Sequence, residues 1–273
     1  MKILAIVGSS KFGNSSEVTK YFENRIKSND NVDFETLFLS DYPIDFCKGC
    51  HNCIFLGEDK CPHREKVKII EDKMLEADGV IFISPGYMFS VTGIMKNFLD
   101  HIAYNCHRPK YYGKKAFIIA ITTKMVRKGV YLPLETFASA AGFEITGKNF
   151  YPMLPFPAKE KEIEKIRESV KKDSKKFYHS VSNKGKIKAD LGQVIVFHIF
   201  RTLAKVFPNI SKADYAYFTK IDGYNRRFYV DAKVSFFQNI FANFIESSAK
   251  KDFEKIVDKE KLKTADGWFR NKL

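Results

Sequence analysis

The first 150 residues alternate short, mostly apolar runs with segments whose apolar residues recur at helical spacing. The runs are typical of strands buried on both faces of a parallel sheet, and they predict strands over 3–8, 32–39, 79–84, 115–122 and 143–150. The helical spacing predicts helices over 17–26, 66–76, 93–101 and 131–141. This alternation favours an α/β fold with a doubly wound, five-stranded parallel sheet.

Three prolines between Tyr151 and Pro157 interrupt the alternation, and a highly charged helical pattern follows over 159–179. We therefore predict one domain over 1–182 and a basic, aromatic-rich helical extension over 183–273. Within the extension, 191–207 and 234–245 carry apolar residues at helical spacing. The first of these is too short and too charged to span a membrane, so we expect a buried or interfacial helix.

The positive charge of the chain lies mainly in its C-terminal part. Residues 1–157 hold 20 Lys and Arg against 17 Asp and Glu, while residues 158–273 hold 26 against 15, within a total of +14. A solvated surface is the simplest interpretation, and anionic lipid, nucleic acid or a nucleotide cofactor are alternatives. The basic residues follow no recognised reading motif, so we predict no nucleic-acid partner. Peripheral membrane contact is less favoured than packing onto the core or a partner chain.

Four of the five cysteines lie within fifteen residues, as Cys47, Cys50, Cys53 and Cys61. Thiolates at this spacing can hold a [4Fe–4S] cluster, and zinc also accepts four thiolates. Free thiols or a reversible disulfide remain alternatives. One local group differs from the dispersed cysteines of a secreted disulfide scaffold, and the chain begins with a strand-like run rather than an export signal. We therefore predict a reducing cytoplasm.

The segment between the first strand and the first helix has the composition of an anion site. Backbone N–H groups at a helix N-terminus, hydroxyl groups and one lysine can converge there on a phosphate. The spacing matches neither a dinucleotide motif nor a P-loop, so a phosphomonoester such as that of FMN is favoured; an ordinary turn is the alternative. The candidate residues are Ser9, Lys11, Gly13, Asn14, Ser15 and Ser16.

A second candidate segment follows the third strand, at the sheet edge where α/β proteins bind ligands. Its backbone can lie against a flat ring and its aromatic side chains can provide faces for it, although a rigid turn is the alternative. The candidate residues here are Pro85, Gly86, Tyr87, Met88, Phe89 and Ser90, with Thr122 and Thr123 after the fourth strand.

Three motifs together resemble the NADPH-dependent FMN reductase and iron–sulfur flavoprotein families: Gly-Ser-x-Lys-x-Gly-Asn-Ser at 8–15, the cysteine group, and Ser-Pro-x-Tyr at 84–87. The resemblance implies a flavodoxin-like fold, with the FMN phosphate held by Ser9, Lys11, Asn14 and Ser15. It implies that the isoalloxazine is held by Pro85, Gly86, Tyr87, Met88 and Ser90.

The function that this resemblance implies is that of an FMN oxidoreductase. Electrons would come from NAD(P)H or a reduced carrier and pass to a quinone, a flavin or another small acceptor. If a cluster is present, it would lie close to the FMN and exchange electrons with it one at a time. No side chain need act as a nucleophile. We also expect a homodimer or homotetramer.

One loop departs from the family pattern. Residues 122–127 read Thr-Thr-Lys-Met-Val-Arg where the family is usually glycine-rich beside the flavin. Lys124 and Arg127 could stabilise an anionic reduced flavin or bind a phosphate, or they could be solvated cations. The departure keeps open an alternative function, a non-enzymatic electron carrier or redox sensor for a partner protein.

Overall fold

The chain divides into two compact units in its structure, a computed structural model that describes residues 1–29, 31–183 and 185–258. The first unit consists of Met1–Phe46, Glu65–Cys106 and Lys110–Gly185. The second consists of Cys47–Arg64, His107–Pro109 and the segment that begins at Lys186. The cysteine segment, which we predicted within the N-terminal domain, thus groups with the C-terminal region.

A five-stranded parallel sheet forms the centre of the first unit. Its strands are β1 (Lys2–Val7), β2 (Asp33–Phe38), β3 (Gly79–Pro85), β4 (Lys115–Ile121) and β5 (Glu144–Tyr151), in the spatial order β2-β1-β3-β4-β5. Every neighbouring pair is parallel. This is the flavodoxin-like strand order, in which the direction of winding reverses beside β1 and β3. The predicted fold class is confirmed.

The helices follow the predicted order, with several starting earlier than expected. They are α1 (Asn14–Lys27), α2 (Asn52–Phe55), α3 (Arg64–Glu76), α4 (Gly93–His101), α5 (Arg127–Ala140), α6 (Glu160–Ser182), α7 (Leu191–Val206), α8 (Lys212–Lys220) and α9 (Phe236–Ile256). The four-residue α2 was not predicted, because so short a helix has no apolar periodicity to recognise.

The two faces of the sheet are covered by different helices because successive side chains of a strand point to opposite faces. Leu4 and Ile6 pack in a cluster to which α3, α4 and α5 contribute. Ile3, Ala5 and Val7 pack in a second cluster to which α1 and α6 contribute. Since both faces are buried, the loops at the strand ends are the parts of this unit available to a ligand.

The second unit has its own aromatic core. Phe197 of α7 is fully buried, and its ring lies 5.8 Å from that of Phe218 and 4.9 Å from that of Tyr229. The buried or interfacial helix expected over 191–207 is observed as α7, which buries one face. In contrast, α9 exposes Phe237 and Phe244, with 81% and 69% of their surface accessible. Among the described residues, we find no helix with both the length and the apolarity needed to span a membrane.

Candidate functional site

Three loops of the first unit leave the carboxyl ends of adjacent strands. The phosphate loop (residues 8–13) follows β1, the ring loop (residues 86–92) follows β3, and the threonine loop (residues 122–126) follows β4. Because β3 lies between β1 and β4 in the sheet, the three loops share one edge. This edge is where ligands bind in open α/β sheets.

The N-terminus of α1 offers hydrogen-bond donors to an anion. Its N-cap is Gly13, with φ of 102°, and no described side chain caps the helix. Among the described residues, the backbone N–H groups of 9–15 donate to no carbonyl oxygen of the backbone. Such orphan donors and the helix dipole favour a negatively charged group. Ser15 and Ser16 are buried beside them, whereas Lys11 is exposed.

Two predicted phosphate ligands contact other groups of the protein. The Lys11 ammonium nitrogen lies 3.0 Å from a carboxylate oxygen of Asp41, and both side chains are about half exposed. The side-chain amide of Asn14 donates to the carbonyl oxygen of Leu154 at 3.0 Å. A phosphate at this loop would therefore compete with Asp41 for Lys11.

Thr92 joins the phosphate loop to the ring loop. Its hydroxyl donates to the carbonyl oxygen of Gly8 at 2.6 Å, and its N–H donates to the Ser84 hydroxyl at 3.2 Å. The Thr92 oxygen also accepts from the N–H of Met95, as an N-cap does for α4. We did not select Thr92 from the sequence, although its position before a helical pattern is a recognisable N-cap signal.

The tip of the ring loop is a tight turn. The N–H of Tyr87 donates to the carbonyl oxygen of Ser90 at 3.0 Å, and the N–H of Ser90 donates back to Tyr87 at 3.0 Å. Met88 and Phe89, between them, have φ of 45° and 59°. Both adopt the left-handed conformation that is unfavourable for residues other than glycine and that persists only where the surroundings impose it.

Two glycines, which have no side chain, allow the neighbouring segments to pack closely enough to hold this turn. A Cβ atom added to Gly129 would lie 1.5 Å from the carbonyl oxygen of Phe89, and one added to Gly86 would lie 2.5 Å from the Thr122 hydroxyl. The ring loop therefore packs directly against the threonine loop and the first turn of α5. The role of Gly129 in this contact was not predicted from the sequence.

The predicted ring-binding side chains point away from the core. Tyr87, Met88 and Phe89 are 63%, 93% and 58% exposed, so they are available to a flat aromatic ligand. Thr122 is buried and Thr123 is exposed. At the start of α5, the Arg127 guanidinium lies 4.8 Å from the centre of the Phe150 ring, an arrangement that favours a cation–π contact over binding to a phosphate.

The residues at this edge fit FMN on two observations. The uncapped start of α1 provides donors for a phosphate, and the constrained turn of the ring loop presents exposed aromatic surface beside it. A shallow depression of about 750 Å³ lies elsewhere in this unit, lined by residues such as Lys2, Asn31 and Asp78. It is at the amino ends of the strands, away from the ligand-binding edge, so we assign it no role.

The four clustered cysteines all belong to the second unit, and all are partly buried. Burial, together with the nearby thiols of Cys61, Cys47 and Cys50, raises the pKa of Cys53 to about 11. Burial is also the main cause that raises the pKa of Cys61, and Cys50 and Cys47 contribute. The thiols are therefore close enough to influence one another's ionisation.

The cysteine segment fits an iron–sulfur cluster by its donor chemistry. Four partly buried thiols on one segment of the second unit form the donor set that such a cluster requires. Within residues 1–29, 31–183 and 185–258, we find no group of three or more His, Cys, Asp or Glu side chains arranged to hold a single metal ion. A cluster places iron and sulfide between its ligands, so its thiolates need not approach as closely as those around one ion.

Comparison with known proteins gives consistent results. A family model described as NADPH-dependent FMN reductase matches residues 1–131. An iron–sulfur flavoprotein of Clostridioides difficile is 31% identical over 195 residues, which cover 67% of this chain and 81% of that protein. Another from Archaeoglobus fulgidus is 36% identical over 117 residues, 42% of this chain and 51% of that protein, so the chain spans about half of its length.

A solved structure supports the fold. The structure of a flavone reductase superposes with a TM-score of 0.53, at 14% identity, over 67% of this chain and 64% of that chain. At this identity the superposition supports the α/β architecture alone.

Proposed function

Because the chain belongs to the NADPH-dependent FMN reductase and iron–sulfur flavoprotein family, we propose that it is an FMN-dependent oxidoreductase that takes electrons from NAD(P)H. The observation that carries this proposal is the ring loop, whose left-handed turn is pressed against Gly129 beside the uncapped start of α1. Strained backbone conformations cost free energy and cluster at ligand-binding sites, so a strained, exposed aromatic turn at this edge supports a ligand site there.

We assign FMN binding to side chains and backbone groups of the phosphate, ring and threonine loops and of the residues next to them. Ser9, Lys11, Asn14, Ser15 and Ser16, with the backbone at Gly13, would hold the phosphate through charge and hydrogen bonds. Pro85, Gly86, Tyr87, Met88, Phe89 and Ser90, with Thr122 and Thr123, would position the ring and exclude water from one of its faces. When bound, FMN supplies the capacity to accept two electrons and return them singly or in pairs.

We also propose that Cys47, Cys50, Cys53 and Cys61 hold a [4Fe–4S] cluster, which would supply one-electron chemistry. Zinc, free thiols or a reversible disulfide are the other states of this segment. Iron and acid-labile sulfide analysis of anaerobically purified protein decides among them: about four of each per chain supports the cluster, and zinc or neither element contradicts it.

The electron acceptor that we propose is a quinone, a free flavin or another small molecule.

We also propose that the protein is a cytoplasmic homodimer or homotetramer. Exposed apolar side chains at the flavin edge of the first unit support association, because Phe12 is 88% exposed and Met125 is 74% exposed. Light scattering of the purified chain should give the mass of two or four chains, and a monomer would contradict this part of the proposal.

The test of FMN binding is a titration of flavin-free protein with FMN, followed by flavin fluorescence. We expect saturation at one FMN per chain, and riboflavin, which lacks the phosphate, should bind far more weakly. Absence of saturable binding would contradict the proposed function. Equal affinity for riboflavin and FMN would contradict the assignment of the phosphate loop.

An electron carrier or redox sensor for a partner protein is the second candidate, favoured by the departure of the threonine loop from a glycine-rich sequence. Oxidation of NADH and NADPH, with a quinone or free flavin as acceptor, separates the two functions. Negligible turnover by FMN-loaded protein with both nucleotides would favour the carrier.

A further inference from the structure

Arg108 connects the cysteine segment to the C-terminal helices within the second unit. It is a buried residue whose guanidinium donates to the carbonyl oxygen of Cys53 at 2.6 Å and to that of Ile54 at 2.9 Å. The same guanidinium donates to a carboxylate oxygen of Asp214 in α8. Arg108 is separated from Cys53 by 55 residues and from Asp214 by 106, so this contact joins three distant parts of the chain.

Asp214 holds Arg108 from the other side. Its side chain is 2% exposed, and its second oxygen lies 2.8 Å from Nδ1 of His107. The His107 ring stacks on Phe200 of α7, with ring centres 3.7 Å apart. Helix α8, through Asp214, and helix α7, through Phe200 and His107, therefore both help to fix the orientation of Arg108.

The short helix α2 needs such support. A helix of four residues cannot stabilise itself, because helix nucleation is unfavourable and its carbonyl groups lack partners within the helix. Arg108 satisfies two of these carbonyl groups with one planar group. Arginine is suited to this task because its donors form a rigid fork, which lysine lacks.

Burying the ion pair is costly, so its retention needs an explanation. An arginine and an aspartate removed from water lose hydration that their mutual attraction offsets only in part. A pair of apolar residues could fill the same space at less cost. What apolar residues could not do is hold the backbone of Cys53 in one position through directed hydrogen bonds.

We propose that Arg108, held in place by Asp214, is a positioning residue for the cysteine centre: it fixes the backbone that carries Cys53 and so holds that thiol in place within the cysteine segment. This inference rests on the proposed cysteine function. It also gives the C-terminal region a role, because α8 supplies the carboxylate on which the arrangement depends.

The first experiment uses full-length protein with Arg108→Gln, Arg108→Lys or Asp214→Asn, and Arg227→Gln as a control on an exposed arginine of the same unit. Each variant is reconstituted anaerobically with iron and sulfide, and its metal content, FMN content and cluster reduction potential are measured. We expect Arg108→Gln to lose at least three-quarters of the iron and sulfide and Arg108→Lys and Asp214→Asn to lose less. Any cluster that remains in Arg108→Gln should have a more negative potential because a nearby positive charge is gone. FMN content should not change, and Arg227→Gln should match the wild type throughout.

The second experiment keeps the inference testable if the wild type takes up no cluster. Metal-free, reduced protein is treated with iodoacetamide, and the alkylation rate of each cysteine is followed by mass spectrometry, with Cys106 as the internal reference. We expect Arg108→Gln to increase the rate at Cys53 several-fold and to leave the rate at Cys106 unchanged.

The outcomes separate the two proposals. A wild type that takes up no iron and sulfide contradicts the proposed cluster, and the alkylation rates alone then decide the role of Arg108. Wild-type rates at Cys53 in Arg108→Gln overturn the positioning role, as does full cluster content at an unchanged potential. A general loss of folding would raise the rates at Cys53 and Cys106 together, and this also contradicts a specific role at Cys53.

Discussion

Gly129 determines how closely the ring loop can approach α5. Its missing side chain leaves room for the carbonyl oxygen of Phe89, which would be 1.5 Å from an added Cβ atom. Backbone cannot move aside as the end of a flexible side chain can. The left-handed conformations of Met88 and Phe89 therefore depend on a glycine forty residues further along the chain.

Gly129→Ala tests this dependence. We expect it to lower FMN affinity at least about tenfold and to lower the free energy of unfolding by about 1–3 kcal/mol, the usual cost of forcing an extra carbon atom into a packed region. Gly93→Ala is the matched control, because Gly93 is also in the first turn of a helix and an added Cβ there meets no atom within 4 Å. Comparable FMN affinity in the two variants would contradict the dependence of the ring loop on Gly129.

Asp41 lies beside the proposed phosphate site. It pairs with Lys11 at 3.0 Å, so it both occupies a predicted phosphate ligand and places a negative charge near that proposed site. Because both groups are exposed, the pair itself contributes at most about 1 kcal/mol.

Asp41→Asn should therefore tighten FMN binding by about two- to five-fold at low salt, with a smaller gain at high salt because ions screen exposed charges. The titration is repeated with Asp72→Asn, which removes an exposed carboxylate paired with Lys68 on α3. Weaker FMN binding in Asp41→Asn would show that Asp41 supports the site rather than competing with it.

At the scale of elements, packing of α7 against α9 depends on Glu246. Its carboxylate accepts hydrogen bonds from Thr202 and Arg201 and lies 2.7 Å from Nδ1 of His198. Burial by itself would raise the pKa of Glu246, but the contacts with His198, Thr202 and Arg201 outweigh burial and lower it to about 2. A pKa below that of the unfolded chain means that ionised Glu246 stabilises the folded state.

Glu246→Gln should lower the free energy of unfolding at pH 7 by about 1–3 kcal/mol, since a partly buried, hydrogen-bonded charge is removed. The contribution of a carboxylate with a lowered pKa is complete above the ordinary value near 4.5 and is lost as the pH falls towards about 2. Urea denaturation from pH 7 to pH 3 should therefore show the difference between wild type and variant shrinking below about pH 4.5.

Asp252→Asn, which removes an exposed carboxylate from the same helix, is the control and should change stability little at any pH. A difference between wild type and Glu246→Gln that stays constant down to pH 3 would contradict the assigned role of the Glu246 charge.

The elements of the first unit could be predicted because its sequence obeys local rules. Apolar runs such as Val80–Ile83 are buried on both faces, and helices such as α4 begin at an N-cap residue, so both leave a readable pattern. Helix α2 and the contact of Gly129 with Phe89 left no readable pattern in the sequence. Both depend on groups distant in sequence, Arg108 in one case and Phe89 in the other, and single-sequence patterns do not encode such contacts. The last part of the predicted extension, residues 259–273, lies outside the described residues.

At the scale of the whole molecule, the two candidate cofactors belong to different compact units. The predicted FMN ligands lie in the first unit, and Cys47, Cys50, Cys53 and Cys61 lie in the second. Each unit has its own buried core. The binding of one cofactor should therefore not require the other.

Cys53→Ser tests this independence. We expect the variant to lose at least most of its iron and sulfide, because a serine hydroxyl is a poor replacement for a thiolate, and to bind FMN with unchanged affinity. Cys106→Ser is the control that removes a thiol outside the cysteine segment, and it should retain both iron and FMN. Loss of FMN from Cys53→Ser would indicate that the cysteine segment is needed to form the flavin site.

We propose that the edge formed by the phosphate and ring loops holds FMN for reduction by a nicotinamide. The most direct test is the visible spectrum of FMN-loaded, full-length protein, recorded anaerobically before and after one equivalent of NADPH or NADH is added. If FMN binds at this edge and a nicotinamide reduces it, the spectrum of protein-bound flavin should bleach when the nucleotide is added. Flavin that separates from the protein on gel filtration would contradict the assigned site, and bound flavin that neither nucleotide bleaches would contradict the proposed reductase activity.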